Sequence, residues 1–169
     1  GGQAASQMAA SSAYTNSTDE TAISSLTIPA NTLVAGSTIR VRAAGIATAT
    51  NASDELTVQL KFDTSATAIG SAESIVSTGA VDVADNDIYD IDCVITVRTA
   101  GSSGTGIAVG SMCPMNAAST ARTTTLKSSF TIDTTSANVL QVTADWNAAN
   151  AGNSMRSDLF TVDIVNPST

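Results

Sequence analysis

Two cysteines and a crowd of aspartates are the residues whose chemistry has to be weighed first. The spacing of Cys93 and Cys113 matches neither a metal knuckle nor a Cys-x-x-Cys redox pair. They read as two small buried hydrophobes, or as a cross-strand disulfide if their strands pair in a suitable register. Nucleophilic work by either needs a histidine or a nearby cation to hold a thiolate, and the chain contains no histidine. That absence also removes Ser-His catalysis, histidine acid–base chemistry and every histidine-containing metal site.

The acidic stretch carries Asp82, Asp85, Asp87, Asp90 and Asp92. Asp85-Asn86-Asp87 could offer clustered oxygens to calcium, but an EF-hand loop needs a further ligand, then Gly, then a distant Glu. Here Ile88 and Tyr89 follow directly, and Asp90 and Asp92 fall on the polar side of a strand. The stretch therefore reads as a solvated loop and strand face. Counting alone does not decide on a glycosidase-type carboxylate pair, since fifteen acidic residues always leave some pair. The aromatics that usually line a sugar site are scarce. Only Tyr14, Tyr89 and Trp146 join a ring to a polar handle, and Trp146 lies in phase with a buried strand face. Asn16-Ser17-Thr18 and Asn51-Ala52-Ser53 match the glycosylation pattern, but Gly1 to Ser6 offers neither a basic nor an apolar signal region, so both read as chance. No catalytic residue, metal or cofactor is expected.

Composition narrows the partners. The 169 residues hold 7 Lys+Arg against 15 Asp+Glu, for a net charge of −8. Nucleic-acid binding would lack its electrostatic term, and polybasic attachment to a membrane fails for the same reason. No apolar run approaches the roughly 18 residues of a membrane span. A hydrophobic fraction of 43% and a mean hydropathy of +0.16 place the chain above disordered compositions. One folded domain is expected.

The elements that must position these residues have a period of two. Leu56, Val58, Leu60 and Phe62 alternate with Thr57, Gln59 and Lys61, and Leu140, Val142, Ala144 and Trp146 alternate with Gln141, Thr143 and Asp145. Ile39, Val41 and Ala43, then Phe130 and Ile132, then Phe160, Val162 and Ile164 do the same. Such alternation marks strands with one buried and one wet face. Turn signals such as Pro29-Ala30-Asn31, Asn51–Asp54, Gly101–Gly104 and Ala148–Asn153 punctuate them. The pattern predicts strands near 23–28, 37–47, 55–62, 66–77, 88–99, 105–113, 124–132, 138–146 and 156–165, with a loop at 114–123. The fold class is all-β, an antiparallel β-sandwich or jelly roll of eight to nine short strands.

Residues 1–20 stand apart in composition and read as an N-terminal arm, flexible or ordered by a partner, ahead of a single domain over 21–169. Met8 and Tyr14 are its only large apolar side chains and its candidate contact anchors. One register can be drawn more sharply. A tight turn through Gly101-Ser102-Ser103-Gly104 pairs residues whose numbers sum to about 206. That sets Val97 by Val109 and Cys93 by Cys113, with Ile91, Cys93, Ile95 and Val97 on the same face as Ile107, Val109 and Cys113.

The run Leu26-Thr27-Ile28-Pro29-Ala30-Asn31-Thr32-Leu33-Val34-Ala35-Gly36-Ser37-Thr38-Ile39-Arg40-Val41-Arg42-Ala43-Ala44-Gly45 resembles the opening of jelly-roll structural proteins of tailed bacteriophages. There an IPANTL-x-x-G segment leads into the first long strand. Ile95-Thr96-Val97-Arg98-Thr99 with Gly101–Gly104, and Leu159-Phe160-Thr161-Val162-Asp163-Ile164, resemble a shared hairpin and the last strand. Coverage is roughly 21–165. The resemblance implies a homotrimer without enzymatic activity, in the virion, made in the host bacterial cytoplasm. It carries over no site residues, because its motif positions are fold determinants.

Three functions follow as expectations. The first is a capsid decoration (cement) protein on the outer surface of a phage head, with the major capsid protein and its own copies as partners and with no nucleic acid or membrane. The alternative is a tail-fibre or receptor-binding domain for host surface polysaccharide, which would need an exposed aromatic groove. A sandwich glycosidase would need facing carboxylates in a cleft.

Overall fold

The alternation of apolar and polar residues is realised as strands across the residues that the computed structural model describes: 2–64, 69–113, 115 and 121–168. The protein is all-β, with two antiparallel sheets packed as a β-sandwich. The larger sheet holds β1 (Gly2–Ser6), β2 (Tyr14–Thr15), β4 (Thr38–Thr48), β8 (Asp87–Thr99), β9 (Gly104–Cys113), β10 (Thr123–Ile132) and β12 (Ser154–Val165). Its order is β1-β12-β4-β8-β9-β10, with β2 also on β12. The smaller sheet holds β3 (Thr21–Ile28), β5 (Glu55–Asp63), β6 (Glu73–Ser77), β7 (Val81–Asp82) and β11 (Asn138–Trp146), in the order β3-β11-β5-β6 with β7 on β5.

Eight of the nine expected strands form close to their predicted spans. The strand expected at 66–77 is confined to Glu73–Ser77, after a 3-10 turn at Ile69–Ser71; residues 65–68 lie outside the described residues. The loop expected at 114–123 falls mostly on Pro114 and residues 116–120, also outside the described residues. Met115 between them is fully buried in the core, and Thr123 already belongs to β10. The short strands β1, β2 and β7 were not expected, because small polar sequences such as Gly2–Ser6 carry no period-two signal.

Residues 29–37 make the crossing from the smaller sheet to the larger. Pro29 accepts a bond from Thr32 N, Asn31 takes φ 61° and Gly36 takes φ 90°, so the chain bends twice between β3 and β4. Gly36 N donates to the Val97 carbonyl at 2.8 Å, and Ser37 Oγ donates to the Asn166 carbonyl at 2.6 Å, which pins the crossing to β8 and to the end of β12. Leu33 plugs the space beneath at 2% exposure. Arg40 and Arg42 point outward, as the alternation predicts.

The inward faces meet as expected for β4, β5, β8, β11 and β12. Leu56, Val58, Leu60, Leu140, Val142, Ala144 and Trp146 of the smaller sheet bury against Ile39, Val41, Ile91, Cys93, Ile95 and Val162 of the larger. Phe62 and Phe130 meet edge to face, with ring centres 6.2 Å apart.

The β8–β9 hairpin departs from its expected register by three positions. Cys93 faces Gly110, Val97 faces Gly106 and Cys113 faces Asp90. Gly101 at φ 111° starts the reversal early, and a bulge between Val97 and Thr99 absorbs one further residue. An odd shift turns every β9 side chain over. Gly106, Ala108, Gly110 and Met112 therefore face the core, while Ile107, Val109 and Cys113 face outward. Packing explains the choice: a Cβ on Gly106 would lie 2.6 Å from Phe130 Cζ, and one on Gly110 would overlap Val76 Cγ2. The bare backbone is what admits Phe130 and Val76 to the core.

Gly110→Ala should therefore cost about 1–3 kcal/mol through overpacking. Urea unfolding is the measurement, and adding Val76→Ala to the same chain should restore part of the loss. An unchanged midpoint for Gly110→Ala would show that this face has room to spare.

Candidate interaction surface

The N-terminal residues line the open side of the sandwich. Gln7 N donates to the Phe160 carbonyl at 2.9 Å, and Ser11 N donates to the Ser157 carbonyl at 2.8 Å. The Gln7 amide joins the sheets: its Nε2 donates to the Ser157 carbonyl and its Oε1 accepts from Ser24 Oγ at 3.1 Å. A cleft of about 300 Å³ remains beneath, lined by Ala5, Gln7, Ser11, Ile23, Ser24 and Phe160 among others.

The two expected anchors separate here. Tyr14 is not presented to a partner: it is buried in the protein's own core at 8% exposure, and its hydroxyl donates to the Asp19 and Ser17 carbonyls. Backbone pairing of β2 with Ser154 and Met155 draws the ring inward, and the nearby carbonyls satisfy the phenol. Met8 is 99% exposed.

The cysteine pairing is likewise corrected. Neither cysteine is in a disulfide, and the register places Cys113 against Asp90, three strand positions from Cys93 and on the opposite face of the sheet. Cys93 is buried, and desolvation, with a smaller push from the Asp92 charge, raises its thiol to about 12. Cys113 is half-buried on the outer face.

The aspartates are held by hydrogen bonds and ion pairs within the fold. Buried Asp87 accepts from Ala84 N at 2.8 Å, and Asp85 accepts from Thr48 Oγ1 at 3.2 Å. Arg42 spans Asp90 and Asp92 at 3.3 and 3.4 Å, and Arg122 pairs with Asp90 and donates to Ser111 Oγ. Among the described residues, no group of three His, Cys, Asp or Glu side chains is arranged to hold a metal ion.

The turned-over face of β9 makes the most distinctive surface. Val94, Val109 and Leu126 stand in one cross-strand row and are 41%, 49% and 62% exposed. Ile107 lies half-buried one step along, and the neighbouring row is Asp92, Ser111 and Thr124, bordered by Arg42 and Arg122. Beyond them β10 is an edge strand whose residues Thr123 to Leu126 and Ser128 to Ser129 are exposed on both faces. The Lys127–Glu73 ion pair ties this half of β10 to the smaller sheet. The two-residue alternation places Val109 and Ile107 in the core and gives Val94 and Leu126 no role, so this row is not expected from it. The available signal was the glycine alternation at 104, 106 and 110, which marks a close-packed backbone face rather than an empty one.

The outer face of the smaller sheet is polar yet covered. Lys61 is 6% exposed and donates to Glu20 and to the Ile69 carbonyl, while Thr143 Oγ1 donates to Glu20 at 2.6 Å. Fully buried Gln141 has no hydrogen-bond partner among the described residues for either side-chain atom. Desolvation, with the Glu20 charge behind it, raises the Asp145 carboxyl, and the Lys61 charge opposes this.

No protein-family model matches the chain, and no curated protein matches it.

Three measurements test these placements. A water-soluble thiol reagent should label one cysteine, Cys113, in the native protein and both in urea; native labelling of Cys93 would contradict its burial. Because folding holds Cys93 neutral, its contribution to stability is complete below the unfolded thiol value of 9.0 and is lost as pH climbs toward about 12. Urea midpoints should fall above pH ~9, less steeply in Cys93→Ala. Glu20→Ala, which strands Lys61, should cost about 2–3 kcal/mol, somewhat under a fully buried pair. A loss below ~0.5 kcal/mol would class the pair with surface ion pairs.

Proposed function

We propose that this chain is a non-enzymatic virion structural protein: a jelly-roll decoration protein that binds the outer surface of a tailed-phage head as a homotrimer and stabilises it. The carrying observation is the outer face of the larger sheet, where an apolar row and an uncovered edge strand lie open at one end. Exposed apolar rows rimmed by polar residues mark contact surfaces. The resemblance over 21–165 supplies the family, and its most distinctive run forms the pinned crossing between the sheets. A net charge of −8 per chain suits the exterior of a head better than its DNA-filled interior.

The partners in this reading are the major capsid protein and two further copies of the chain. Three copies around an axis each add a modest contact and together reach an avidity that one contact lacks. A protein that binds only the intact shell raises the shell's resistance to disruption by mass action.

Decorated and undecorated capsids should differ in heat and low-salt disruption, with saturating protein raising the disruption temperature. Electron microscopy of the virion should show its density on the head exterior. Equal stability, with density only at the tail, would replace this reading with the tail-fibre one.

A further inference from the structure

We infer that Lys61 and Gln141 condense into an intramolecular isopeptide bond, with the Glu20 carboxylate moving the protons. The bond clasps the two central strands of the smaller sheet. This inference stands apart from the capsid reading and does not need it.

Lys61 of β5 and Gln141 of β11 lie directly opposite each other in an uninterrupted antiparallel register, on the outer face of the sheet. Side chains opposed in this way start within about 5.5 Å of each other at Cβ, inside the reach of a lysine stem. Water is excluded from both, with Lys61 6% and Gln141 0% exposed. The Gln141 amide is the anomaly. Buried side-chain amides are nearly always hydrogen-bonded, yet Nε2 and Oε1 have no partner among the described residues. Condensation with Lys61 releases Nε2, with its unmet N–H groups, to water.

The third group is placed for proton transfer. The Glu20 carboxylate accepts from Lys61 Nζ at 2.8 Å, from Thr143 Oγ1 at 2.6 Å and from Gln59 Nε2 at 3.2 Å. Gln59 is fixed in turn by Ser74 Oγ at 2.8 Å. Thr143 stands two residues from Gln141 on the same face of β11, so the carboxylate is anchored to the amide's own strand.

The Lys61 ammonium passes one proton to Glu20, and the freed electron pair on Nζ bonds to Gln141 Cδ while the carbonyl π pair moves to Oε1. The carbonyl then re-forms and the Cδ–Nε2 bond breaks. Nζ gives up two protons in all, both relayed by Glu20 to Nε2, which leaves as ammonium. Glu20 ends as the carboxylate it began as, and no electrons are gained or lost. The product encloses residues 62–140 in a covalent loop, which restricts the unfolded chain much as a disulfide does.

Intact mass and peptide mapping of the full-length chain test this. The expected mass is lower than that of the sequence by one ammonia, about 17 Da, with the Lys61 and Gln141 peptides recovered joined. Lys61→Met, Gln141→Met and Glu20→Gln should each show full mass and separate peptides. Thermal unfolding adds a test by sign. Gln141→Met should lower the midpoint by roughly 10 °C, because the closed loop is lost. Without the bond, replacing an unpartnered buried amide by a thioether of like shape would raise the midpoint and overturn the inference. Full mass in the wild-type chain, or an equal loss traced to a succinimide with the two peptides separate, would also overturn it. So would a loss of water that joins Lys61 to Glu20, and joined peptides in Glu20→Gln would overturn the proton relay.

Discussion

The parity of the β8–β9 register is the constraint on which the rest of this structure depends. Side chains alternate across a strand, so an odd shift exchanges the two faces of β9 completely. The inner face is settled by what must fit beneath it. Phe130 lies against Gly106 and Val76 against Gly110, and neither position has room for a Cβ. Once the glycines face inward, Ile107 and Val109 have nowhere to go but outward. The apolar row on the surface is therefore a consequence of core packing, and a stable one, because reversing it would drive two clashes into the interior.

A second constraint comes from the long-range pairing of the central strands. β4 lies beside β12 and β5 beside β11, although long stretches of the chain separate the partners in sequence. The loop-closure entropy of such pairings is recovered only through continuous burial, and β11 shows how complete that burial is: eight of its nine residues are buried. Its inner face packs on apolar side chains, and its outer face carries Gln141 and Thr143 beside Lys61 and Glu20. The Lys61–Glu20 pair compensates two charges at once. Gln141 stays uncompensated, at a cost that the surrounding packing has to offset.

The legible part of the fold was what alternation can signal. β4, β5, β11 and β12 each carry large apolar residues at every second position, and their spans and buried faces followed from that pattern. The β9 strand defeated the same logic because its core face is Gly, Ala, Gly and Met, so the more apolar face was the outer one. Hydrophobicity stands in for burial only when buried positions have room for side chains. β1 and β2 were illegible for another reason: Ala, Ser and Thr join an edge through backbone bonds to β12, which leave no mark on side-chain pattern. Tyr14 followed from that omission, since an arm that is part of the sheet carries its tyrosine inward.

These two failures of pattern have a common physical root in small side chains. Ala, Gly, Ser and Thr lose little rotamer freedom when ordered and let backbones approach closely. Inside, that closeness admits Phe130 and Val76; along β1, it lets an arm lie against β12 with Gln7 clasping both sheets. On the surface, the outer face of the larger sheet mixes exposed aliphatic side chains, Ile88, Val94, Val109, Leu126 and Leu159, with the ion pairs of Arg42, Arg122, Asp90 and Asp92. A face of this kind offers apolar area at its centre and charged groups at its rim. Its contacts are individually modest, which suits repetition around a symmetry axis better than a solitary high-affinity site.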